Sequence, residues 1–471
     1  MVAGMQIEFV GGARTVTGSK HIVRTKHATV LLDCGLFQGK RRDSIERNRT
    51  LGVEARKLSA VVLSHAHIDH SGALPMLVKA GFEGAVFCTP ATRDLCSAML
   101  TDAAFIQAAD ARHINKQIEH EGSDMEPVEP LYNQTDVARL LGHMIAIPYH
   151  RRQAIAPGID ITFFDAGHVL GSAITVLDID EDGDKRRLVF TGDLGRKNMP
   201  ILRDPECPPD ADVLMMESTY GDRNHPPIEE MEDKLAAVIG RVFKRGGKVV
   251  IPSFALERAQ EIVFSLKALE REGKMPPMPV YVDSPLTVKI TDVFKLHPEC
   301  FGDEMLALFR GHESPFDFDQ LRYVSDKEDS KRIDVESRPS VTISASGMCE
   351  AGRVLHHLKA TLEDERNAVL IVGFQAADTL GRRLVEHRPR VKVFGVERDV
   401  RAEVVVMNGY SAHADQRDML EFVAETRRSG RLRKIFLVHG EPGPQKTIGD
   451  LIAKGGFSAT VAPAPGDLAT F

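Results

Sequence analysis

The run LSHAHIDHSG, residues 63–72, places His65, His67, Asp69 and His70 within six residues. It follows the apolar stretch SAVV and leads into a helical pattern, SGALPMLVKAG. The histidines therefore fall just past the end of a strand. In an extended segment, residues i and i+2 point the same way, so His65 and His67 can reach one metal ion. Asp69 and His70 sit at the following turn, where the helix begins, and can aim at a second. Four ligands this close are hard to satisfy around a single tetrahedral ion. Two ions a few ångströms apart are the more economical arrangement. The plainer alternative is a polar loop in which Asp69 caps the helix.

The rest of the chain must build strands around that turn. MQIEFVGG, ATVLLDCG, GAVFCTP, DITFFDAG, AITVLDID, RRLVFTGD and DVLMMEST are apolar or alternating runs closed by Gly, Asp, Ser or Pro. With helices between them they predict layered sheets covered by helices. The texture changes near residue 220. A helical pattern, PIEEMEDKLAAVIGRVFKRGG, is followed by alternating strands and helices: KVVIPSF, ALERAQEIVFSLKALEREG, PVYVDSP, SVTISAS and NAVLIVGF. That alternation predicts a parallel-sheet α/β domain. From about residue 397 the chain returns to EVVVMNGYSAHAD, a helix QRDMLEFVAETRRSG, and RKIFLVHGE. A length of 471 residues exceeds one compact core. The expected division is residues 1–215, an insert at 216–396, and a return at 397–471.

Composition narrows the function classes. Six cysteines form no CxxC pair, which argues against a disulfide framework or a thiolate zinc site and fits a reducing cytoplasm. No long apolar run spans a bilayer, so no membrane partner is expected. The net charge of −7 argues against bulk electrostatic binding of nucleic acid, though a local basic groove is compatible with it. With no Trp and 6% aromatics, a broad base-stacking platform is not expected.

Two ions need further ligands. His168 in FFDAGHVLGSA, Asp193 in LVFTGDLG and His439 in IFLVHGEPG each follow an apolar strand. Each alone reads as an ordinary histidine or a turn aspartate. Several strand ends converging on one edge are less easily explained that way.

At this point the sequence resembles the metallo-β-lactamase superfamily. HxHxDH, the later GH and the later GD match its successive metal motifs, and LLDCG supplies the early acidic one, with Asp33 orienting ligands from behind. MMESTYG, YSAHAD and LVHGE resemble the added motifs of its nucleic-acid-cutting β-CASP branch, and the likeness covers essentially the whole chain. The resemblance implies an α/β fold: a metallo-β-lactamase αββα sandwich with an inserted parallel-sheet β-CASP domain. It implies two Zn²⁺ per chain, one on His65, His67 and His168, the other on Asp69, His70 and His439, with Asp193 bridging. Glu217 would pair with His413 outside the metal shell. The catalytic set expected on this basis is Asp33, Asp69, Glu217 and His413. For Glu217 the alternative is a solvated strand end. For His413 it is a residue in a helix cap, because Asp415 reads as an N-cap. The VHGE ending favours RNA-processing members over DNA-repair ones. The absence of an archaeal-kind RNA-binding module before the core points to a minimal, bacterial-type member.

A phosphodiester is anionic and repels hydroxide. Paired zinc ions offset that charge and lower the pKa of water, and a histidine held by a carboxylate can protonate the leaving oxygen. The implied activity is hydrolysis of single-stranded RNA to 5′-phosphate and 3′-hydroxyl products. The 2′-hydroxyl takes no part, so DNA is not excluded by the chemistry. A small-molecule metallohydrolase and a non-catalytic scaffold subunit are the competing classes. The insert and SAHAD argue against the first, and the intact ligand set against the second. In the insert, SASGMCEAGRVLHHL predicts a loop around Ser344, Ser346 and Gly347 whose amides can hold a phosphate at a helix start. Arg258, Arg382 and Arg383 lie on predicted helices, as RNA contacts or as solvated faces. The basic segment GKRRDSIERNR, residues 39–49, has the same two readings, with the solvated face favoured. The sequence allows a homo-oligomer without specifying one.

Overall fold

The computed structural model describes residues 4–39, 41–120, 126–311, 313–373, 375–376 and 378–471. Contacts divide the chain into two compact units. The first comprises Met1–Lys197, Asp204–Asn224 and His413–Phe471; the second comprises Asn198–Arg203 and His225–Ala412.

In chain order, the first unit opens with β1 (Gln6–Gly11), β2 (Lys20–Arg24), β3 (Thr29–Leu32), β4 (Ala60–Val62), β5 (Ala85–Cys88) and β6 (Met144–Ala146). It continues with β7 (Gln153–Ala156), β8 (Ile159–Asp165), β9 (Ala173–Glu181), β10 (Asp184–Phe190) and β11 (Val213–Glu217). The second unit supplies β12 (Lys248–Pro252), β13 (Val280–Val282), β14 (Leu321–Tyr323), β15 (Ser340–Ser344), β16 (Ala368–Ile371), the hairpin β17 (Arg390–Val393) and β18 (Val396–Asp399), and β19 (Glu403–Val406). The chain then returns to the first unit as β20 (Lys434–Val438), β21 (Thr460–Val461) and β22 (Leu468–Thr470).

Two seven-stranded sheets form the first unit, in the orders β22-β1-β2-β3-β4-β5-β6 and β21-β20-β11-β10-β9-β8-β7. Their inner faces meet in one core. Phe9, Val23 and Val30 from the first sheet pack with Ile161, Phe163, Leu177, Phe190 and Phe436 from the second. Strand alternation builds this directly. Along β8, Ile159, Ile161 and Phe163 enter the core while Phe164 packs on the opposite face. β11 lies between parallel neighbours and is buried on both faces, which is why VLMM is continuously apolar. Val213 and Met215 face the inner core, whereas Leu214 and Met216 face Met419 and Phe422 of helix Gln416–Thr426 and Ile448 of helix Pro442–Lys454. Each such side chain contributes about 1.5–3 kcal/mol by leaving water. On the first sheet's side, helix Gln134–His143 packs against both Leu74–Lys79 and Pro90–His120, the long one also reaching β6. This is the αββα sandwich expected from the motifs.

The second unit is a six-stranded sheet, order β14-β13-β15-β12-β16-β19, with all five neighbouring pairs parallel. Val250, Val369 and Ile371 of the sheet pack with Val354, Leu358, Leu380 and Leu384 of two helices. β19 pairs with β16, so contact carries this unit on to Ala412, past the residue 396 boundary drawn from sequence texture. Among the described residues, no helix is long and apolar enough to cross a membrane.

Candidate metal centre

The first unit brings six strand ends to one edge. Asp33 follows β3, His65 and His67 follow β4, His168 follows β8, Asp193 follows β10, Glu217 ends β11 and His439 follows β20. After β4 the backbone continues as Leu63 and Ser64, and Ser64 N donates to Asp33 Oδ1 at 2.8 Å. His67 then opens the short helix Ile68–Ser71, which carries Asp69 and His70. Gly35 lies flat against this helix. A Cβ there would sit 1.6 Å from the Asp69 carbonyl oxygen, so no larger residue allows the two segments to meet. Gly195 does the same for the loops bearing Asp193 and His168, where a Cβ would sit 1.9 Å from Gly167 O.

Buried partners hold the rings. Asp33, fully buried, places Oδ2 2.7 Å from His70 Nδ1 and also accepts from Ser64 Oγ at 3.0 Å and Ser19 Oγ at 3.2 Å. This leaves His70 Nε2 facing the centre, the usual way a carboxylate orients a ligand imidazole. Ser64 Oγ lies 3.0 Å from His65 Nδ1, and Thr219 Oγ1 lies 3.2 Å from His439 Nδ1, so both rings present Nε2 as well.

The donor atoms fall into two sets. In the first, His67 Nδ1 lies 3.1 Å from His65 Nε2 and 3.4 Å from His168 Nε2, and Asp193 Oδ2 lies 3.5 Å from each of those Nε2 atoms. A tetrahedral zinc with bonds of about 2.0–2.1 Å holds its ligand atoms about 3.3–3.4 Å apart, so this set has the right size. In the second, His439 Nε2 lies 3.3 Å from His70 Nε2 and 3.5 Å from Asp69 Oδ2, with His70 Nε2 to Asp69 Oδ2 at 3.9 Å. Asp193 Oδ1 lies 3.2 Å from His70 Nε2, so the two oxygens of one carboxylate face different sets. A third grouping, Asp193, His413 and His439, also lies within ligand range.

Charge fits a cation there. Burial holds the His65 imidazole well below its usual pKa, helped by the neighbouring His70. Burial likewise takes His67 down to about 4, against the pull of Asp69. Both rings are neutral near pH 7, the form in which an imidazole can offer a lone pair to a metal ion. Burial also opposes charging His70, but Asp193 and Asp33 outweigh it and raise this ring well above its usual value. For Asp193, burial is overcome by His439 and His70, which hold the carboxyl well below the usual range.

Beside these sets, His413 Nδ1 lies 3.0 Å from Glu217 Oε1. Glu217 is fully buried rather than a solvated strand end, and it accepts from Leu194 N at 2.7 Å and Thr219 N at 3.3 Å. His413 is held by backbone: Ala414 N donates to Leu194 O at 2.7 Å, and Asp415 caps the next helix through a capping box. Burial would lower the His413 pKa, but the Glu217 carboxylate and its hydrogen bond raise it to about 9.

In the second unit, the Ser344 hydroxyl donates to Asp283 O at 2.9 Å. Ser346 Oγ accepts from Glu350 N at 3.2 Å and Ala351 N at 3.4 Å, and the Gly347 carbonyl accepts from Gln375 Nε2 at 2.9 Å. The helix after this loop starts at Val354, seven residues beyond Gly347. Arg258, 7% exposed, is paired with Glu261 instead of lying on a solvated face. Arg382 Nε donates to Glu386 Oε1 at 2.9 Å, and Arg383 Nη2 to Asp378 O at 3.3 Å. In the basic segment, Arg41–Asn48 is a helix, and Lys40 lies outside the described residues.

The sequence matches the metallo-beta-lactamase superfamily over residues 18–230, the Beta-Casp domain over 259–384, and the Zn-dependent metallo-hydrolase RNA specificity domain over 397–463. It is 35% identical to a protein of Thermus thermophilus named as a ribonuclease, over 97% of this chain and 98% of that one. The chain belongs to the β-CASP branch of the metallo-β-lactamase superfamily. It is also 32% identical to the transcription termination factor FttA of Methanosarcina mazei, over 93% of this chain and 67% of that one. A crystal structure of a protein of unknown function from Enterococcus faecalis shares the fold, with a TM-score of 0.55 at 14% identity and full coverage of both chains.

Within this β-CASP chain, Ser19, Ser64 and Thr219 support the site and were not foreseen from sequence. Ser64 and Thr219 stand next to or near the motif residues, but a hydroxyl beside a histidine is too common to carry a signal by itself.

Proposed function

We propose that this chain is a two-zinc ribonuclease that cleaves single-stranded RNA to 5′-phosphate and 3′-hydroxyl ends. The observation that carries the reading is the Glu217–His413 pair, standing beside two donor sets that share Asp193. His65, His67 and His168 would hold one ion, Asp69, His70 and His439 the other, and Asp193 both. Zinc bound there supplies Lewis acidity toward a phosphoryl oxygen and lowers the pKa of water. Glu217 keeps His413 protonated at neutral pH and fixes its ring through Nδ1. The other ring nitrogen is then free to give its proton to O3′ as the P–O3′ bond breaks. The names of the Thermus and Methanosarcina relatives, and the RNA specificity domain, support RNA as the polymer. In the second unit, the loop at Ser346 and Gly347, with Arg382 on the helix beyond, is the region we assign to the strand's phosphates; Ser344 and Arg258 support its framework. Six free cysteines suit a cytoplasmic protein.

The test is a digest of 5′-labelled and 3′-labelled single-stranded RNA by the zinc-loaded protein. Fragments carrying 5′-phosphate and 3′-hydroxyl ends are expected. Inert RNA together with cleaved duplex DNA, a lactam or a thioester would overturn the reading.

A further inference from the structure

Lys20 is 2% exposed, yet its ammonium has no carboxylate or hydrogen-bond acceptor within reach among the described residues. Its nearest partner is the ring of Phe37, whose centroid lies 5.0 Å from Nζ. The same ring carries a second cation, with the Arg47 guanidinium carbon 3.6 Å from its centroid. Arg47 is exposed, and no ion pair holds it among the described residues. Asp43, one turn earlier on its helix, attracts it only at longer range. Burial pulls the Lys20 pKa down and Arg47 pulls it further, while Cys34 acts the other way. Cations favour an aromatic face, but two on one ring, with no carboxylate in direct contact with either among the described residues, make a positive site suited to an anion.

The arrangement is built. Phe37 is clamped by Asn48, whose side-chain oxygen accepts from Phe37 N at 2.8 Å and whose amide donates to Phe37 O at 2.8 Å. It is also tied to the metal centre. Ser19 N donates to Asp69 O at 2.8 Å, and Leu36 N to Ile68 O at 2.9 Å. Lys20 and Phe37 each stand one residue beyond a segment bonded to the ligand-bearing helix. In a chain of net charge −7, this is a local exception in sign.

We infer that Lys20 and Arg47, gathered on Phe37, bind a backbone phosphate of the RNA strand next to the one being cut. The inference rests on the ribonuclease reading above. It gives part of the basic segment a role that its composition did not single out. The lysine supplies a point charge and the arginine a planar fork, so both can address one phosphate.

The experiment titrates a fluorescein-labelled single-stranded phosphorothioate RNA, which resists cleavage and keeps its charges, into the zinc-loaded full chain at several salt concentrations. Anisotropy gives the slope of log affinity against log salt. Lys20→Met and Arg47→Gln should each weaken binding and make the slope shallower, by up to about 0.7, the single-strand value for the one phosphate they share. Zinc content measured alongside confirms an intact centre. Arg47 is exposed, so Arg47→Gln decides the matter even if Lys20→Met does not fold. Wild-type slopes in the variants overturn the inference and leave the ribonuclease reading standing. A wild type that does not bind the RNA overturns both.

Discussion

His413 and His439 stack with ring centroids 5.9 Å apart, and both lie near Asp193, yet their surroundings assign them different work. His439 Nε2 faces His70 and Asp69, two other donors. His413 turns Nδ1 to a fully buried carboxylate that also fixes two backbone amides. That pairing fits the proposed role of proton donor. His413→Ala should therefore leave zinc content near the wild-type value while the rate on RNA falls by about 10²–10⁴. Glu217→Gln should move the same way, and the double variant should fall by less than the product of the two, since the residues act as a unit. A nitrophenyl phosphodiester, whose leaving group needs no proton, should be partly spared. Loss of a zinc ion in His413→Ala would instead make the residue a ligand, as the grouping of Asp193, His413 and His439 permits. Asp33 works one bond further out. Removing its charge with Asp33→Asn should weaken zinc binding by about 10–100-fold, read by competition with a chelating dye, because His70 loses its anionic partner. An unchanged affinity would show that Ser64 and the backbone alone orient that ring.

At the scale of elements, strand ends were the legible part. An apolar run that stops at His, Asp or Glu says where the run ends and what stands there, and β3, β4, β8, β10, β11 and β20 all do so. The coupling of distant elements was not legible. Asp283, just past β13, accepts from Ser330 Oγ and from Arg353 Nη1 at 2.6 Å; its Oδ2 lies 2.7 Å from His357 Nε2, and His357 Nδ1 lies 2.7 Å from Asp334 Oδ1. These residues span 283 to 357, and no local period links them. Likewise, β19 joins the second unit's sheet by pairing with β16, a contact that no local pattern announces. The buried network carries its own prediction. Burial disfavours the His357 imidazolium, but Asp283 and Asp334 outweigh it and raise the pKa above 6.5. Its stabilising contribution is therefore complete below about pH 6.5, the unfolded value, and is lost as pH rises through the higher folded value. His357→Gln should cost about 3–5 kcal/mol, since Asp283 stays buried with a partner missing. Hydrogen exchange at helix Val354–Thr361 reads this locally: protection should drop in the variant, and wild-type protection should be greater at pH 6 than at pH 9. Equal protection at both pH values would mean that the ring is neutral in the folded chain.

For the molecule as a whole, the net charge of −7 works against binding a polyanion, and the proposed metal centre is where bound cations would change that balance. Two zinc ions would offset four of those charges at the place where the scissile phosphate must sit. The two donor sets would not take up a cation on equal terms. His65 and His67 are already neutral at pH 7, their pKa values lowered mainly by burial, so the set they form releases no proton from either ring. His70 is raised well above 6.5 by Asp193 and Asp33, so the set with Asp69 and His439 must expel its proton to bind. Calorimetric titration of stripped protein, repeated in buffers of different ionisation heat, should show close to two zinc ions per chain. Affinity at one site should be nearly independent of pH between 6 and 8; at the other it should rise with pH, with close to one proton released. The stripped protein should also bind single-stranded RNA more weakly than the loaded one, by anisotropy at fixed salt, because the repulsion of the acidic chain is no longer countered at the site. A single zinc in an active enzyme would overturn the two-ion assignment, and pH-independent binding at both sites would remove the protonated His70 from this account.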